Sequence, residues 1–239
     1  EDKATVKVTS VVSPTVSASG RISTTRMANN WVQIYAEDAP TAWTSETYLA
    51  IIQSMNQYRL PYGHNPTWDP AVTAFRYNDT VAYAWTEGRN NDFGIGINEV
   101  VFGARKMDGV VVIPNTRVVD HSSFSEPNGI YDYNPSIARV PTNGNIVVAW
   151  ERDQWDGTVW LSDVYYAVYN ISGTVVVSPT NLTNNTSGSI QDYTPAVEAF
   201  REGRVGLAWE HSAAGVDDIM CAILDANGNV IRPPANLTN

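Results

Sequence analysis

Acidic residues recur at matched places in this sequence, and carboxylates are the side chains that hold hard cations or cleave glycosidic bonds. Four apolar runs, "WVQIYAE", "DTVAYAWTE", "NIVVAWE" and "RVGLAWE", each end in a glutamate: Glu37, Glu87, Glu151 and Glu210. A second set of acids opens the next apolar segment of each stretch: Glu46, Glu99, Asp163 and Asp218. Asp132 and Asp192 add a third position, in the phrases "DYNP" and "DYTP". Such an acidic ring could bind a structural calcium ion.

A structural role is the stronger expectation for these acids. An acid repeated at a fixed place in every unit usually accepts hydrogen bonds from backbone amides of a nearby turn. We therefore expect no cofactor, and calcium at the ring of Glu37, Glu87, Glu151 and Glu210 is the alternative.

No catalytic residue is predicted, because the ring offers many carboxylates without singling out a pair. His64, His121 and His211 lack metal-ligand spacing and are expected to be solvated loop residues. Cys221 is expected to be a buried small apolar residue. Exposed aromatic residues stack on sugars or contact proteins, and four tryptophans fall outside the repeated core phrase: Trp43, Trp68, Trp155 and Trp160.

Internal repeats predict the fold. Each repeat contains four short runs rich in β-formers and separated by turn residues, which is typical of a four-stranded antiparallel unit. In the last copy the runs are "AVEAF", "RVGLAWE", "DIMCAIL" and "NVIRPPANLT", with a loop expected over residues 212–217. We predict an all-β propeller with blades at approximately 21–64, 65–130, 131–188 and 189–239, which either close into a ring alone or are part of a larger ring or array.

Residues 1–20 are predicted to be a stray outer strand and its connection, because "VVSPT" occurs both at 11–15 and at 176–180. Two explanations stay open at this point. The chain is part of a longer array, or the surplus strand pairs with a neighbouring molecule.

The motifs "DYTPAV", "LAWE", "DDI" and "NLT" of the last unit carry a family resemblance. The unit resembles the WD40-like repeats of TolB-type propellers and the repeats of sialidase-like (BNR-type) extracellular propellers. The sialidase Ser-x-Asp-x-Gly-x-Thr-Trp box is absent, and "DQWDGTVW" at 153–160 is the nearest approach. The basic residues also show no recurrent placement of the kind that three substrate-binding arginines would need. The resemblance therefore implies the fold, and no enzyme is predicted.

Composition and charge limit the partners. The chain has 239 residues and a net charge of −10, which argues against nucleic acid and anionic membranes. No apolar window is long enough to insert into a membrane. Asn-x-Ser/Thr acceptors are frequent, as in secreted glycoproteins, and occur at Asn78, Asn170, Asn181, Asn184, Asn185 and Asn236.

The resulting functional prediction is a glycosylated, non-enzymatic structural or adhesive module, extracellular or at the cell surface. Its expected partners are other protein copies or glycans. Two alternatives are a carbohydrate-binding or sialidase-like domain and a filament subunit that assembles by strand donation.

Overall fold

Twelve β-strands form the part of the chain that the structure describes. The structure is a computed structural model that describes residues 67–75, 79–90, 96–122 and 129–238. The first predicted unit, 21–64, and the predicted outer strand in 1–20 lie outside these ranges. Within them no helix is long and apolar enough to cross a membrane.

The strands group into three consecutive antiparallel blades of four, joined into one 12-stranded sheet. Blade A comprises β1 (Thr67–Phe75), β2 (Thr80–Asn90), β3 (Gly96–Lys106) and β4 (Val111–Arg117). Blade B comprises β5 (Ile130–Arg139), β6 (Ile146–Trp155), β7 (Trp160–Tyr169) and β8 (Val175–Asn181). Blade C comprises β9 (Ile190–Ala199), β10 (Val205–Ala213), β11 (Val216–Leu224) and β12 (Val230–Asn236). This confirms the all-β propeller class, while the blade boundaries proposed from the sequence stay a prediction.

Each blade is joined to the next by a single parallel pairing at the start of its inner strand. Asn98 of β3 pairs with Tyr131 of β5, and Ser162 of β7 pairs with Gln191 of β9. The ends of β6 and β10, the starts of β7 and β11 and the connections between blades therefore lie on one face. We call it the loop face.

Apolar residues on both sides of the second strands hold neighbouring blades together. One cluster joins blades A and B and includes Phe102, Val148 and Trp150. A second cluster joins blades B and C and includes Val147, Leu207 and Trp209. Since side chains alternate along a strand, β6 contributes to both clusters, which explains why its sequence "IVVAW" lacks polar residues.

One predicted loop is in fact a tight turn. β10 and β11 pair up to Ala213 and Val216, so only Ala214 and Gly215 connect them. Both have positive φ, 51° and 78°, as a two-residue type I′ hairpin requires. The expectation of a loop over 212–217 is wrong, because strand pairing continues through its polar residues.

Candidate functional site

The inner strand of each blade carries the same irregularity beside the loop face. The residue before the strand proline has positive φ in all three blades: Asp69 at 52°, Asn134 at 47° and Thr194 at 50°. The ladder shifts register beside all three residues, so each inner strand contains a β-bulge. A bulge redirects the side chains around it, which is why bulges are frequent beside functional sites.

Hydrogen bonds connect these bulges from blade to blade. Asp69 of blade A accepts a bond from the backbone amide of Asn134 in blade B. The Asn134 side-chain amide donates to Glu151 Oε2 at 2.8 Å, and the backbone amide of Thr194 in blade C donates to the same oxygen at 3.1 Å. Thr194 Oγ1 then donates to Glu210 Oε1 at 2.7 Å. The carboxylates next to the bulges are thereby held in fixed positions.

Three half-buried carboxyls in this region have raised pKa values. Burial is the main cause for Asp69, Glu151 and Asp153. The negative charges of Asp153 and Asp69 raise the pKa of Glu151 further, against the opposing hydrogen bonds from Asn134 and Thr194. Asp153 also accepts a hydrogen bond from Ser162 Oγ at 2.5 Å. Carboxyls that retain a proton more readily than usual are candidates for acid catalysis.

Four aromatic side chains lie beside these carboxyls and form what we call the aromatic cluster: Tyr131, Tyr133, Trp155 and Trp160. The Tyr131 ring stacks on Tyr133 with centroids 6.0 Å apart and an interplanar angle of 9°. Trp160 lies 5.7 Å from Tyr131 and 5.8 Å from Trp155. Trp160 is 36% exposed, so the cluster is accessible at the loop face.

Strand geometry places the aromatic cluster and two of the carboxyls on the same side of blade B. Glu151, Asp153 and Trp155 alternate along β6 and therefore share one face. Tyr133 pairs with Glu151 and Tyr131 pairs with Asp153 across the β5–β6 ladder. Directly opposed residues of an antiparallel pair have adjacent side chains.

The hairpin that presents Trp155 and Trp160 is fixed by a single aspartate. Asp156 Oδ1 accepts hydrogen bonds from the backbone amides of Thr158 at 2.8 Å and Val159 at 2.9 Å. A short polar side chain that binds the amides following it is the usual way to close such a turn. The hairpin therefore holds both indoles at the loop face.

Arginines at the loop face form ion pairs with buried acids at the junction of blades A and B. The fully buried Glu99 carboxylate accepts hydrogen bonds from Arg89 Nε at 2.6 Å and from Arg89 Nη2 at 2.9 Å. Arg117 Nε lies 2.6 Å from the same carboxylate. The backbone amide of His121 also donates a hydrogen bond to Glu99 Oε1, at 2.7 Å. These contacts tie β3 to the connection that leads into blade B.

A second buried acid at the same junction is Asp132. Arg152 donates to both of its oxygens at 2.7 and 2.9 Å, and His121 Nε2 lies 3.0 Å from Oδ2. Burial opposes ionisation, but the charges of Arg152 and His121 outweigh it and lower the pKa of Asp132. His121 is therefore buried in an ion-pair network, and the expectation that it is a solvated loop residue is wrong.

The junction of blades B and C uses amides and an indole where the first junction uses arginines. Asn185 donates from its side chain to Asp192 Oδ2 at 2.8 Å and to the carbonyl of Ser162 at 2.7 Å. Trp209 Nε1 and His211 Nδ1 both lie 2.7 Å from Asp192 Oδ1. His211 is thus half-buried and bonded, which also corrects its predicted solvated position.

The predicted acidic ring does not align as the sequence suggested. Trp85 corresponds to Trp150 and Trp209, so Thr86 occupies the place of Glu151 and Glu210. Glu87 is displaced by one residue along the strand and projects to the opposite face, where Arg117 Nη2 lies 3.8 Å away. Among the described residues no group of three or more His, Cys, Asp or Glu side chains could hold a metal ion. A calcium ion involving Glu37, which lies outside the described ranges, stays a prediction.

The remaining predicted positions are distributed over the fold. Trp68 lies in β1 immediately before the bulge residue Asp69, while Trp43 and His64 are outside the described ranges. Cys221 is half-buried in β11, not fully buried as expected.

The Asn-x-Ser/Thr acceptors fall into two groups. The side-chain amides of Asn181 and Asn185 donate to Asp163 Oδ2 and Asp192 Oδ2, and Asn236 bonds to Asp218. Asn170 Oδ1 closes a hairpin by accepting from the amides of Ser172 and Thr174, and Asn184 is exposed. Asn78 lies outside the described ranges. Glycosylation of these residues stays a prediction.

No protein-family model and no curated protein matches this sequence, but solved structures share its fold. The Hadza microbial sialidase Hz136 matches with a TM-score of 0.50 and 11% identity over 69% of this chain and 36% of that chain. The endo-arabinase from Bacteroides thetaiotaomicron VPI-5482 matches with a TM-score of 0.42 and 15% identity, over 74% of this chain and 64% of that chain. The Penicillium chrysogenum α-L-arabinanase complexed with arabinobiose matches with a TM-score of 0.41 and 13% identity, over 74% and 59%. This chain thus spans between about a third and two thirds of the length of these structures.

The fold is therefore that of a sialidase-like β-propeller, and the resemblance to TolB-type repeats stays a prediction. The predicted non-enzymatic structural or adhesive module is contradicted, because the sialidase that shares the fold is a carbohydrate-active enzyme, while the filament alternative stays a prediction. The prediction that the chain is not an enzyme is corrected for the same reason. A shared fold does not assign an activity, so the chemistry must be argued from the residues of this chain.

Sialidase chemistry is not favoured by those residues. The resemblance implies a tyrosine nucleophile partnered by a glutamate, and the structure does pair Tyr133 with Glu151. However, burial and the nearby charges of Asp153 and Glu151 raise the pKa of Tyr133, which makes its phenol harder to deprotonate than an ordinary tyrosine. The residues therefore favour carboxylate chemistry.

Proposed function

We propose that this chain is a carbohydrate-active propeller that binds glycans at the aromatic cluster and cleaves a glycosidic bond with the adjacent carboxyls. The observation that carries the proposal is the position of Glu151 and Asp153 on the same face of β6 as Trp155, beside exposed Trp160. Sugar sites combine an aromatic surface for the ring with a few fixed polar groups.

Glu151 is the proposed general acid, because its raised pKa favours the protonated form and the bulge hydrogen bonds hold its Oε2. The other oxygen, Oε1, would deliver the proton to the leaving group. Asp153 is the proposed second carboxylate. Residues two positions apart on a strand, such as Glu151 and Asp153, are separated by about 7 Å. The paired carboxyls of glycosidases lie roughly 5–10 Å apart. Glu151 would thus protonate the glycosidic oxygen while Asp153 stabilises or activates the attacking group.

We also propose an extracellular location, where polymeric glycans are accessible. The high Asn, Ser and Thr content agrees with this location.

Binding and hydrolysis of arabinobiose and of a panel of neutral oligosaccharides would test the proposal. Trp160→Ala removes a stacking surface, so we expect glycan affinity to fall about tenfold. Phe200→Ala is the matched control, because Phe200 is 48% exposed but lies at the opposite end of blade C, and affinity should not change. Glu151→Gln should keep binding and lower hydrolysis by about 10²–10⁴-fold.

Two results would contradict this assignment. Hydrolysis that survives Glu151→Gln would exclude Glu151 as the acid. Failure of the wild-type protein to bind any glycan of the panel would remove the proposed function as a whole.

A further inference from the structure

The proposed glycan site is surrounded by negative charge. Asp153 lies beside the aromatic cluster, and Asp69 and Glu210 are joined to the site through the bulge hydrogen bonds; Glu151, the proposed general acid, is not counted among these charges. Tyr193 immediately precedes the bulge residue Thr194 in blade C. Burial raises the pKa of Tyr193, and the negative charge of nearby Asp217 raises it further. A ligand at this face therefore encounters carboxylates from three blades.

Described arginines at the loop face already pair with acids. Arg89 and Arg117 contact Glu99, and Arg152 binds both oxygens of Asp132. Glu99 and Asp132 are fully buried, so taking an arginine away from either would leave a buried carboxylate with less compensation. The remaining described basic residues lie at the other end of the blades or on an outer strand: Arg105, Lys106, Arg139, Arg201, Arg204 and Arg232.

We infer that the site selects neutral glycans and rejects glycans that carry a carboxylate, such as sialylated or uronic-acid sugars. This inference rests on the proposed function. Recognition of a sugar carboxylate normally requires arginine side chains free to bind it in a bidentate geometry. Here the described arginines of the loop face are bound to protein acids, and the described carboxylates that face the ligand repel an anion.

The test is a glycan array that presents each neutral core with and without a terminal sialic or uronic acid, followed by calorimetry on the best-bound pair. A carboxylate within several ångströms of two acids should weaken binding about tenfold or more. Salt screens this repulsion, so the ratio within the pair should shrink between about 20 mM and about 500 mM NaCl.

Two variants distinguish the effect of charges near the site from the effect of the overall charge of the protein. Asp153→Asn removes one negative charge next to the aromatic cluster and should lower the discrimination within each pair by about threefold or more. Glu202→Gln removes one charge from the exposed turn between β9 and β10, at the opposite end of blade C, and should leave the discrimination unchanged.

Each result leads to a distinct conclusion. Preferential binding of neutral members supports the inference. Stronger binding of the acidic members overturns it while leaving the proposed function in place. An array with no bound glycan overturns both.

Discussion

Individual acids in this protein divide into structural and candidate catalytic groups according to their partners. Asp132 and Glu99 are fully buried and engaged by arginines, so they anchor the junction of blades A and B. Glu151 and Asp153 are half-buried, bonded to neutral donors, and have raised pKa values. The first pair has a structural role, and the second is suited to proton transfer.

Asp132→Asn should strongly destabilise the protein. The substitution leaves Arg152 buried without its carboxylate, and breaking a buried ion pair costs about 3 kcal/mol or more. Urea unfolding would measure the loss. Asp108→Asn, in an exposed turn, is the control and should change stability by less than about 0.5 kcal/mol.

The same residue predicts a pH dependence. Because the folded state lowers the pKa of Asp132, its stabilising contribution is complete above the ordinary aspartate value of 3.8 and is lost as the pH falls through the lower folded value. The free energy of unfolding should therefore fall less steeply with acidification in Asp132→Asn than in the wild type. Equal slopes would show that Asp132 does not contribute.

The sequence allowed part of the site to be predicted, because recurring acids and loop tryptophans are visible without a structure. Tyr131 and Tyr133 are not indicated by the sequence, since Tyr133 belongs to the repeated phrase "DYNP", whose repetition indicates architecture, and Tyr131 has no counterpart before "DYTP". An available signal was the alternation of Glu151, Asp153 and Trp155, which places them on one strand face. The pairing of His121 with Asp132 depends on contacts between blades, and no local pattern indicates it.

Among the structural elements, the connections between blades are fixed by the acid near the start of each third strand. Asp163 accepts hydrogen bonds from Asn181 Nδ2 at 2.9 Å, Thr183 Oγ1 at 2.7 Å and the Asn185 amide at 2.7 Å. Asp218 accepts the equivalent bond from Thr238 at 2.7 Å. The "NLT" sequence that suggests glycosylation is thus also the partner of a structural aspartate.

Asp163→Ala should destabilise the junction between blades B and C. It removes three hydrogen bonds to a buried carboxylate, which together contribute about 3 kcal/mol. Asp218→Ala changes the corresponding residue of blade C, which is only half-buried, and should have a much smaller effect. Chemical denaturation of both variants would measure the change in the free energy of unfolding. Equal decreases would rule out a special role for the buried Asp163.

The elements themselves were largely predictable from the sequence. The four runs proposed for the last unit overlap β9 to β12, because short β-rich runs broken by glycine and asparagine determine strands locally. The tight Ala214-Gly215 turn was missed, since alanine does not signal positive φ and the turn depends on pairing of the flanking strands.

At the scale of the whole molecule, stability depends on contacts between neighbouring blades. Blade B contributes to apolar clusters on both of its faces, toward blade A and toward blade C. Blade C uses one face in this way, and its other face exposes the apolar side chain of Ile219 in the described structure. Substitutions on the two faces of blade C should therefore have unequal effects.

The free energies of unfolding of Leu207→Ala and Ile219→Ala would test this difference between the two faces. Leu207 is 1% exposed within the cluster between blades B and C, so its truncation should cost about 2–5 kcal/mol. Ile219 is 38% exposed on the other face, and its truncation should cost less than about 1 kcal/mol. A loss at Ile219 as large as that at Leu207 would show that this face is packed in the folded protein.

The repeated tryptophan of the second strands has a spectroscopic consequence. Trp209 Nε1 donates to Asp192, whereas the buried Nε1 of Trp150 has no hydrogen-bond partner among the described residues. Trp150 instead lies under the Arg152 guanidinium, 5.9 Å from its ring centre. The two indole N–H groups should therefore exchange their protons at different rates and resonate at different positions in an NMR spectrum, so each can report on a different junction of the propeller.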